Sequence, residues 1–160
     1  MIPTWQSGDL PAPVRIGPGG WLRAILRGVP LALVVFGGLV ILLLVRLVEA
    51  PIHGLHRPWT PWITQAVCRT AFVILGMTHR TRGEQMRERG AVVANHASWM
   101  DIFARNARKR VYFVSKAEVA RWPAIGWLAR ATGTVFINRD PKEAKAQAAL
   151  FEARLKAGHK

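Results

Sequence analysis

The longest feature in the pattern of apolar and polar positions is a run without charge over Gly28–Val45, which Leu47 and Val48 extend past Arg46. As an α-helix this run reaches about 27 Å, just short of a typical hydrocarbon core. The pattern therefore predicts a short membrane helix. The alternative is a buried helix of a soluble protein, which is disfavoured because a chain of 160 residues can hardly cover such a helix on all sides.

A second and weaker apolar segment covers residues 62–77 and is interrupted by Gln65 and Arg69. Together, the two segments predict a membrane anchor over residues 28–77, made of one hydrophobic helix or a helical pair. Residues 1–27 begin with a stretch rich in proline and glycine that has no apolar period, and they are predicted to form a loose tail.

From residue 78 onward, short apolar runs alternate with longer amphipathic stretches. This alternation predicts an α/β sheet domain over residues 78–160. The predicted strands are Thr78–Arg82, Ala91–Ala94, Val111–Ser115 and Gly133–Asn138, and the predicted helices are Ser98–Arg108, a segment from Lys116 to Thr132 broken near Pro123, and a last helix that starts at Asp140-Pro141-Lys142-Glu143.

The charge balance restricts the partners. The chain has 23 Lys and Arg against 9 Asp and Glu, a formal net charge of +14, which suits nucleic acid, anionic lipid or a phosphorylated substrate. There is no recognisable nucleic-acid motif, and the apolar N-terminal half favours the membrane bilayer, so no nucleic-acid partner is predicted.

The single cysteine, Cys68, excludes an internal disulfide and a zinc cluster, and no metal site is predicted.

The candidate chemistry is concentrated in Asn95-His96-Ala97-Ser98-Trp99-Met100-Asp101. If His96 lies in a turn and Asp101 in the first turn of a helix, the carboxylate can hold the imidazole while the other ring nitrogen takes a proton. There is an alternative: Ser98 and Asp101 also fit a capping box, in which the carboxylate only reaches back to the Ser98 amide. The spacing alone does not choose between a catalytic dyad and a helix cap.

Two basic residues follow predicted strands. Arg139 comes directly after the strand that ends at Asn138, and Lys116 comes after the strand that ends at Ser115. Ligands often bind at the carboxyl edges of α/β sheets, and an arginine there suits a phosphate. The alternative for each is a solvated surface cation.

Trp122 and Trp127 lie on either side of Pro123 and Gly126, in a segment that also contains Ile125. Such a segment is compatible with core packing. It is equally compatible with a surface that dips into a bilayer.

In combination, these residues resemble the lysophospholipid acyltransferase family, whose best-known members are the 1-acyl-glycerol-3-phosphate acyltransferases. The resemblance covers roughly residues 75–160. It rests on an Asn-His-x4-Asp signature, and on a second block that leads into a Phe-Ile-x-Arg motif. The matching residues are Asn95, His96 and Asp101, then Lys116, Glu118, Pro123, Gly126, Gly133, Phe136, Ile137 and Arg139.

The resemblance implies an enzyme of phospholipid biosynthesis, in which His96, oriented by Asp101, activates a lysolipid hydroxyl. That hydroxyl attacks the thioester of acyl-CoA or acyl carrier protein directly, so no cofactor is needed and Ser98 need not be a nucleophile. Arg139 and Lys116 would hold the acceptor, and Asn95 and Ser98 would complete its binding site, with Asn95 also shaping the turn. The expected location is the inner or cytoplasmic membrane, with the catalytic domain on the cytoplasmic side.

Lysophosphatidic acid is the default acceptor that the resemblance implies, and lyso-ornithine lipid is the alternative. Members of the family continue with a further strand and a Glu-Gly-Thr block, whereas this sequence stops at Lys160. The chain is therefore expected to hold only the N-terminal part of the acyltransferase domain. A second hypothesis is an inactive, truncated, membrane-associated remnant of the family.

Overall fold

A computed structural model describes residues 15–84, 88, 90–138, 140 and 144–157. Its first element, helix α1, covers Pro18–His53. The prediction of a loose tail is therefore wrong for residues 18–27. Proline is favoured at the start of a helix, and Trp21, Leu22 and Ile25 carry the apolar pattern of the anchor backward at helical spacing.

Helix α1 has 36 residues and is about 54 Å long, well beyond the roughly 30 Å of a hydrocarbon core. Among the described helices, it alone is long and apolar enough to cross a membrane, by length and composition. Most of its large apolar side chains face outward, and Leu33 and Leu47 are 70% and 72% exposed. Pro30 lies inside the helix.

Helix α2 covers Thr60–Leu75 and packs against α1 as an antiparallel hairpin. Three contacts along the pair establish this direction: Glu49 with Thr60 at the closed end, Gly38 with Val67 in the middle, and Arg27 with the Leu75 carbonyl at the open end. A Cβ atom added at Gly38 would lie 2.4 Å from Val67 Cγ2, so the close approach of the helices depends on this glycine.

A buried carboxylate closes the hairpin. Glu49 has no exposed surface, and its Oε1 accepts hydrogen bonds from the Trp59 and Thr60 amides at 2.7 and 3.1 Å. Its Oε2 accepts from Thr60 Oγ1 at 2.7 Å and from Arg46 Nη1 at 3.1 Å. The last turns of α1 thereby supply the N-terminal cap of α2.

Helix α3 covers Met100–Arg108 and packs on α2. The buried residues Cys68, Phe72 and Ala107 form the core between them, with Met100 and Phe103 packed against it. The two polar residues that interrupt the second apolar segment have a structural role here. Gln65 Nε2 and Arg69 Nε both donate to the Ala107 carbonyl near the C-terminal end of α3. The hairpin thus fixes the helix that carries the candidate site.

Strands β1, Val114–Lys116, and β2, Val135–Ile137, form a parallel pair in which Lys116 lies opposite Ile137. This confirms an α/β arrangement with a small parallel sheet. The predicted strands at Thr78–Arg82 and Ala91–Ala94 are wrong, since neither segment is a strand. A strand requires a hydrogen-bonded neighbour, and neither segment has one among the described residues.

Between the strands, a 3₁₀ helix at Ala117–Arg121 and helix α4 at Ile125–Ala131 form the crossover. The break predicted near Pro123 is confirmed. Helix α5 covers Ala144–Lys156. Of its predicted start, Pro141, Lys142 and Glu143 lie outside the described residues.

Candidate active site

The turn before α3 brings His96 and Asp101 together. His96 Nδ1 lies 3.0 Å from Asp101 Oδ2, which is hydrogen-bond distance. The helix begins only at Met100, so the chain bends between the two residues, as a dyad with this spacing requires. The structure therefore brings together the two side chains that the dyad interpretation of the sequence requires to be neighbours.

The same oxygen of Asp101 also binds the backbone of the turn. Asp101 Oδ2 accepts from the Ala97 amide at 2.7 Å and from the Ser98 amide at 3.0 Å. These amide hydrogen bonds, from Ser98 first and then Ala97, lower the pKa of Asp101, and the bond from His96 adds to the effect. Asp101 is consequently held as a carboxylate.

Ser98 completes the turn by capping the helix. Its Oγ accepts from the Met100 amide at 3.1 Å. The dyad and the capping box, which the sequence offers as alternatives, are therefore both present. Asp101 holds the Ser98 amide and His96 at the same time.

A contact that the sequence analysis missed supports the other end of the turn. Arg105 Nη2 donates to the Asn95 carbonyl at 2.8 Å. Arg105 lies one helical turn after Asp101, so both project from the same face of α3 toward the turn. That spacing is the feature of the sequence that could have identified it. The expected role of Asn95 in shaping the turn involves its backbone carbonyl.

The geometry leaves one nitrogen of His96 for chemistry. Because His96 Nδ1 faces the Asp101 carboxylate, the ring proton is assigned to Nδ1 and the lone pair to Nε2. The His96 side chain is 68% exposed, whereas that of Asp101 is 28% exposed. An accessible imidazole with its tautomer fixed by a carboxylate is suited to accept a proton from a bound hydroxyl.

Of the two basic residues predicted to bind the acceptor, only Lys116 lies in the described part of the chain. Lys116 is exposed at the C-terminal end of β1, opposite Ile137, two positions before Arg139 in the sequence. Arg139 itself lies outside the described residues. Within the described part of the chain, no hydrogen bond or ion pair joins Lys116 to the His96 turn, so the structure does not bring these predicted groups together.

A groove of about 340 Å³ lies beside Asp101. Val92 forms part of its wall, and its basic lining comes from Arg105, Arg108 and Lys109. Such a lining attracts negatively charged ligands. No cluster of three or more possible metal ligands occurs among the residues that the structure describes.

Comparison with known proteins shows which family the chain resembles. A family model described as Acyltransferase matches residues 77–160, more than half of the chain. A lyso-ornithine lipid O-acyltransferase of Rhodobacter capsulatus is 59% identical over 158 residues, which are 98% of this chain and 57% of that protein. A protein of the same name from Rhizobium meliloti is 34% identical over 76% of this chain and 40% of its own length.

A third relative is the 1-acyl-sn-glycerol-3-phosphate acyltransferase of Neisseria gonorrhoeae, which is 47% identical over 51 residues, 32% of this chain and 20% of that protein. The chain thus spans little more than half of the Rhodobacter relative and less of the others. No solved structure gives a significant match.

Proposed function

Because the chain belongs to the acyltransferase family, we propose that it transfers a fatty acyl group from a thioester to the hydroxyl of a lysolipid. The observation that carries the proposal is the hydrogen bond between His96 Nδ1 and Asp101 Oδ2, which leaves Nε2 accessible as a base. The donor is acyl-CoA or acyl carrier protein, and the reaction needs no other cofactor.

In the proposed reaction, the acceptor hydroxyl gives its proton to His96 Nε2 while its oxygen attacks the thioester carbonyl carbon. The new C–O bond forms and the C–S bond breaks. The proton on Nε2 then passes to the leaving sulfur, giving an ester and a free thiol. Asp101 stabilises the imidazolium between the two proton transfers, and its lowered pKa keeps it negative for this role.

As the acceptor we propose a lyso-ornithine lipid. Support comes from the relatives, since proteins named for this activity match nearly the whole chain or a large part of it. The match to a 1-acyl-sn-glycerol-3-phosphate acyltransferase covers 32% of the chain. Lysophosphatidic acid, the default acceptor of the sequence analysis, becomes the second candidate.

For this acceptor, the basic residues need an anionic partner other than a glycerol phosphate. A carboxylate suits both Arg139 and Lys116, because an arginine binds it through two parallel hydrogen bonds and a lysine as a point charge. Their assignment to the acceptor rests on the resemblance and on the position of Lys116 at the end of β1.

The proposed location is the inner or cytoplasmic membrane, with the catalytic residues on the cytoplasmic side. Support for a membrane comes from the outward-facing apolar side chains of α1 and from the lipid acceptors named for the relatives. An anchored enzyme can meet an acceptor and release a product that both reside in the bilayer.

The test uses the chain itself and a chimera in which residues 1–160 replace the matching segment of the Rhodobacter relative. Membranes containing either protein are given radiolabelled acyl-CoA or acyl carrier protein, with lyso-ornithine lipid or lysophosphatidic acid as acceptor. We expect transfer to lyso-ornithine lipid, and a loss of about 10²- to 10⁴-fold in His96→Ala. His56→Ala, outside the turn, serves as the control and should keep its activity.

Undiminished transfer by the His96→Ala chimera would refute the mechanism. Faster transfer to lysophosphatidic acid than to lyso-ornithine lipid would restore the default acceptor. An active chimera beside an inactive 160-residue chain would support the hypothesis of an inactive remnant for the chain alone.

A further inference from the structure

Exposed apolar side chains lie on the crossover between β1 and β2. Trp122, Ile125 and Trp127 are 56%, 49% and 63% exposed, and we call these three side chains the Trp122 surface. The core-packing interpretation of this segment does not hold for these three side chains, although Gly126 between them is buried. Three large apolar side chains exposed within the six residues 122–127 are unusual at a surface that only water contacts.

The turn that displays these side chains is firmly built. Ala124 has a φ of 60°, a backbone conformation that residues other than glycine rarely adopt. The Ile125 amide donates to the Pro123 carbonyl at 2.6 Å, and the Gly126 amide donates to the Trp122 carbonyl at 2.8 Å. The outward direction of the side chains therefore results from a defined backbone, and strained backbone of this kind is concentrated at functional sites.

Cations accompany the apolar group. Arg121 precedes Trp122 and is exposed, and Arg130 is exposed on α4 and donates through Nη1 to the Ala120 carbonyl. Tryptophan with neighbouring arginine is the combination found at membrane interfaces, where the ring lies at the level of the headgroups and the cation meets lipid phosphate. The charges thus favour an anionic lipid surface over an apolar protein partner.

The Trp122 surface is also joined to the proposed anchor. Helix α4 packs against α1, and Arg57, in the hairpin connection, donates through Nη1 to the Ala131 carbonyl at 2.7 Å. Helix α4, which begins with Ile125, is therefore held close to a helix whose own apolar side chains face outward. A bilayer that accommodates α1 lies within reach of this surface.

We propose that the Trp122 surface is a second contact with the bilayer, seated among the headgroups of an anionic membrane. The proposal rests on the proposed membrane association of α1 and adds an attachment point on the α/β part of the chain. Two attachment points, one on the hairpin and one on the crossover, fix how the α/β part faces the membrane surface.

The test measures the environment of nitroxide labels by electron paramagnetic resonance. In a Cys68→Ala background, single cysteines replace Trp122, Ile125 or Trp127, and each protein is reconstituted into vesicles of equimolar phosphatidylglycerol and phosphatidylcholine. Leu33→Cys on α1 is the lipid reference, and Glu152→Cys, on an exposed position of α5, is the water reference. Collisions with oxygen report lipid, and collisions with a soluble nickel chelate report water.

In the vesicles, we expect labels at the three positions to be more accessible to oxygen and less accessible to nickel than the label at Glu152, with values that approach those at Leu33. Nickel accessibility like that at Glu152 would overturn the proposal. Low accessibility to both reagents would mean that protein covers the surface, which also overturns it. If Leu33 itself reports water, the proposed membrane association of α1 fails, and this outcome is distinct from failure of the Trp122 surface alone.

Discussion

At the scale of single residues, Asp101 links the local structure of the turn to its chemistry. One oxygen of Asp101 binds two backbone amides and His96 Nδ1, whereas Ser98 only caps the helix. Ser98→Ala should therefore cost about 0.5–2 kcal/mol of stability and leave the acyl-transfer rate nearly unchanged. Asp101→Asn should lower the rate by about 10²- to 10⁴-fold, because the amide can neither fix the tautomer of His96 nor stabilise its imidazolium.

The comparison is made by measuring thermal unfolding and acyl transfer for both variants of the chimera. Equal losses of activity in the two variants would show that only the fold of the turn matters. A rate for Asp101→Asn close to that of the unmodified chimera would remove the carboxylate from the mechanism.

The protonation of Asp101 gives a second prediction. Because the amides of Ser98 and Ala97 lower its pKa, the stabilisation of the turn by the carboxylate is present above the ordinary aspartate pKa of about 3.9. It is lost as the pH falls through the lowered value. In an NMR titration, the Ala97 and Ser98 amide protons should shift with a midpoint below about 3.9. A midpoint at or above that value would contradict the hydrogen bonds described for Oδ2.

The residues of the site differ in how far the sequence predicts them. His96 and Asp101 are predictable because a turn followed by a helix start determines their distance. The bond from Arg105 to the Asn95 carbonyl is harder to predict, since the basic run that contains Arg105 resembles an ordinary solvated helix end. The backbone role of Asn95 also depends on a carbonyl direction, which side-chain chemistry does not specify.

At the scale of elements, the hairpin of α1 and α2 depends on one of two adjacent glycines. A Cβ atom at Gly38 would lie 2.4 Å from Val67 Cγ2, whereas at Gly37 it would have no atom within 4 Å. Gly38→Ala should push the helices apart, at an overpacking cost of about 1–3 kcal/mol that exceeds the gain in helix propensity. Gly37→Ala should be neutral or stabilising by up to about 1 kcal/mol.

Unfolding of both variants in mixed detergent micelles, followed by circular dichroism, measures this difference. The matched substitutions share the same change in propensity, so the difference between them isolates the contact with Val67. Equal stabilities would mean that α1 and α2 do not approach each other at Gly38.

Helices and breaks that depend on local sequence could be predicted, whereas strands and caps that depend on distant contacts could not. The long helix, the helix after His96 and the break at Pro123 follow from periodicity and from proline, which act within a few residues. The segments Thr78–Arg82 and Ala91–Ala94 have strand-like composition but form no strand, because pairing depends on a neighbour that local pattern does not specify. Likewise, Glu49 caps α2 from the preceding helix, a contact that only the folded hairpin creates.

At the scale of the whole molecule, the exposed apolar side chains of α1 and the net positive charge both favour a membrane. The large apolar side chains exposed by α1 need no electrostatic help to partition into lipid. The net charge of +14 adds an attraction to anionic headgroups that salt weakens. The two contributions can be separated because the Debye length falls to about 3 Å at 1 M salt.

We therefore predict that washing membranes with 1 M salt, or with alkaline carbonate, leaves the chain in the pellet, and that detergent releases it. The amount retained is measured by immunoblotting. A matched variant with Leu33→Lys and Leu47→Lys, both on exposed positions of α1, adds two positive charges and interrupts the apolar surface. That variant should be released by salt more readily than the unmodified chain, since less apolar surface then holds it. Release of the unmodified chain by salt alone would show that charge, and not α1, attaches it to the membrane.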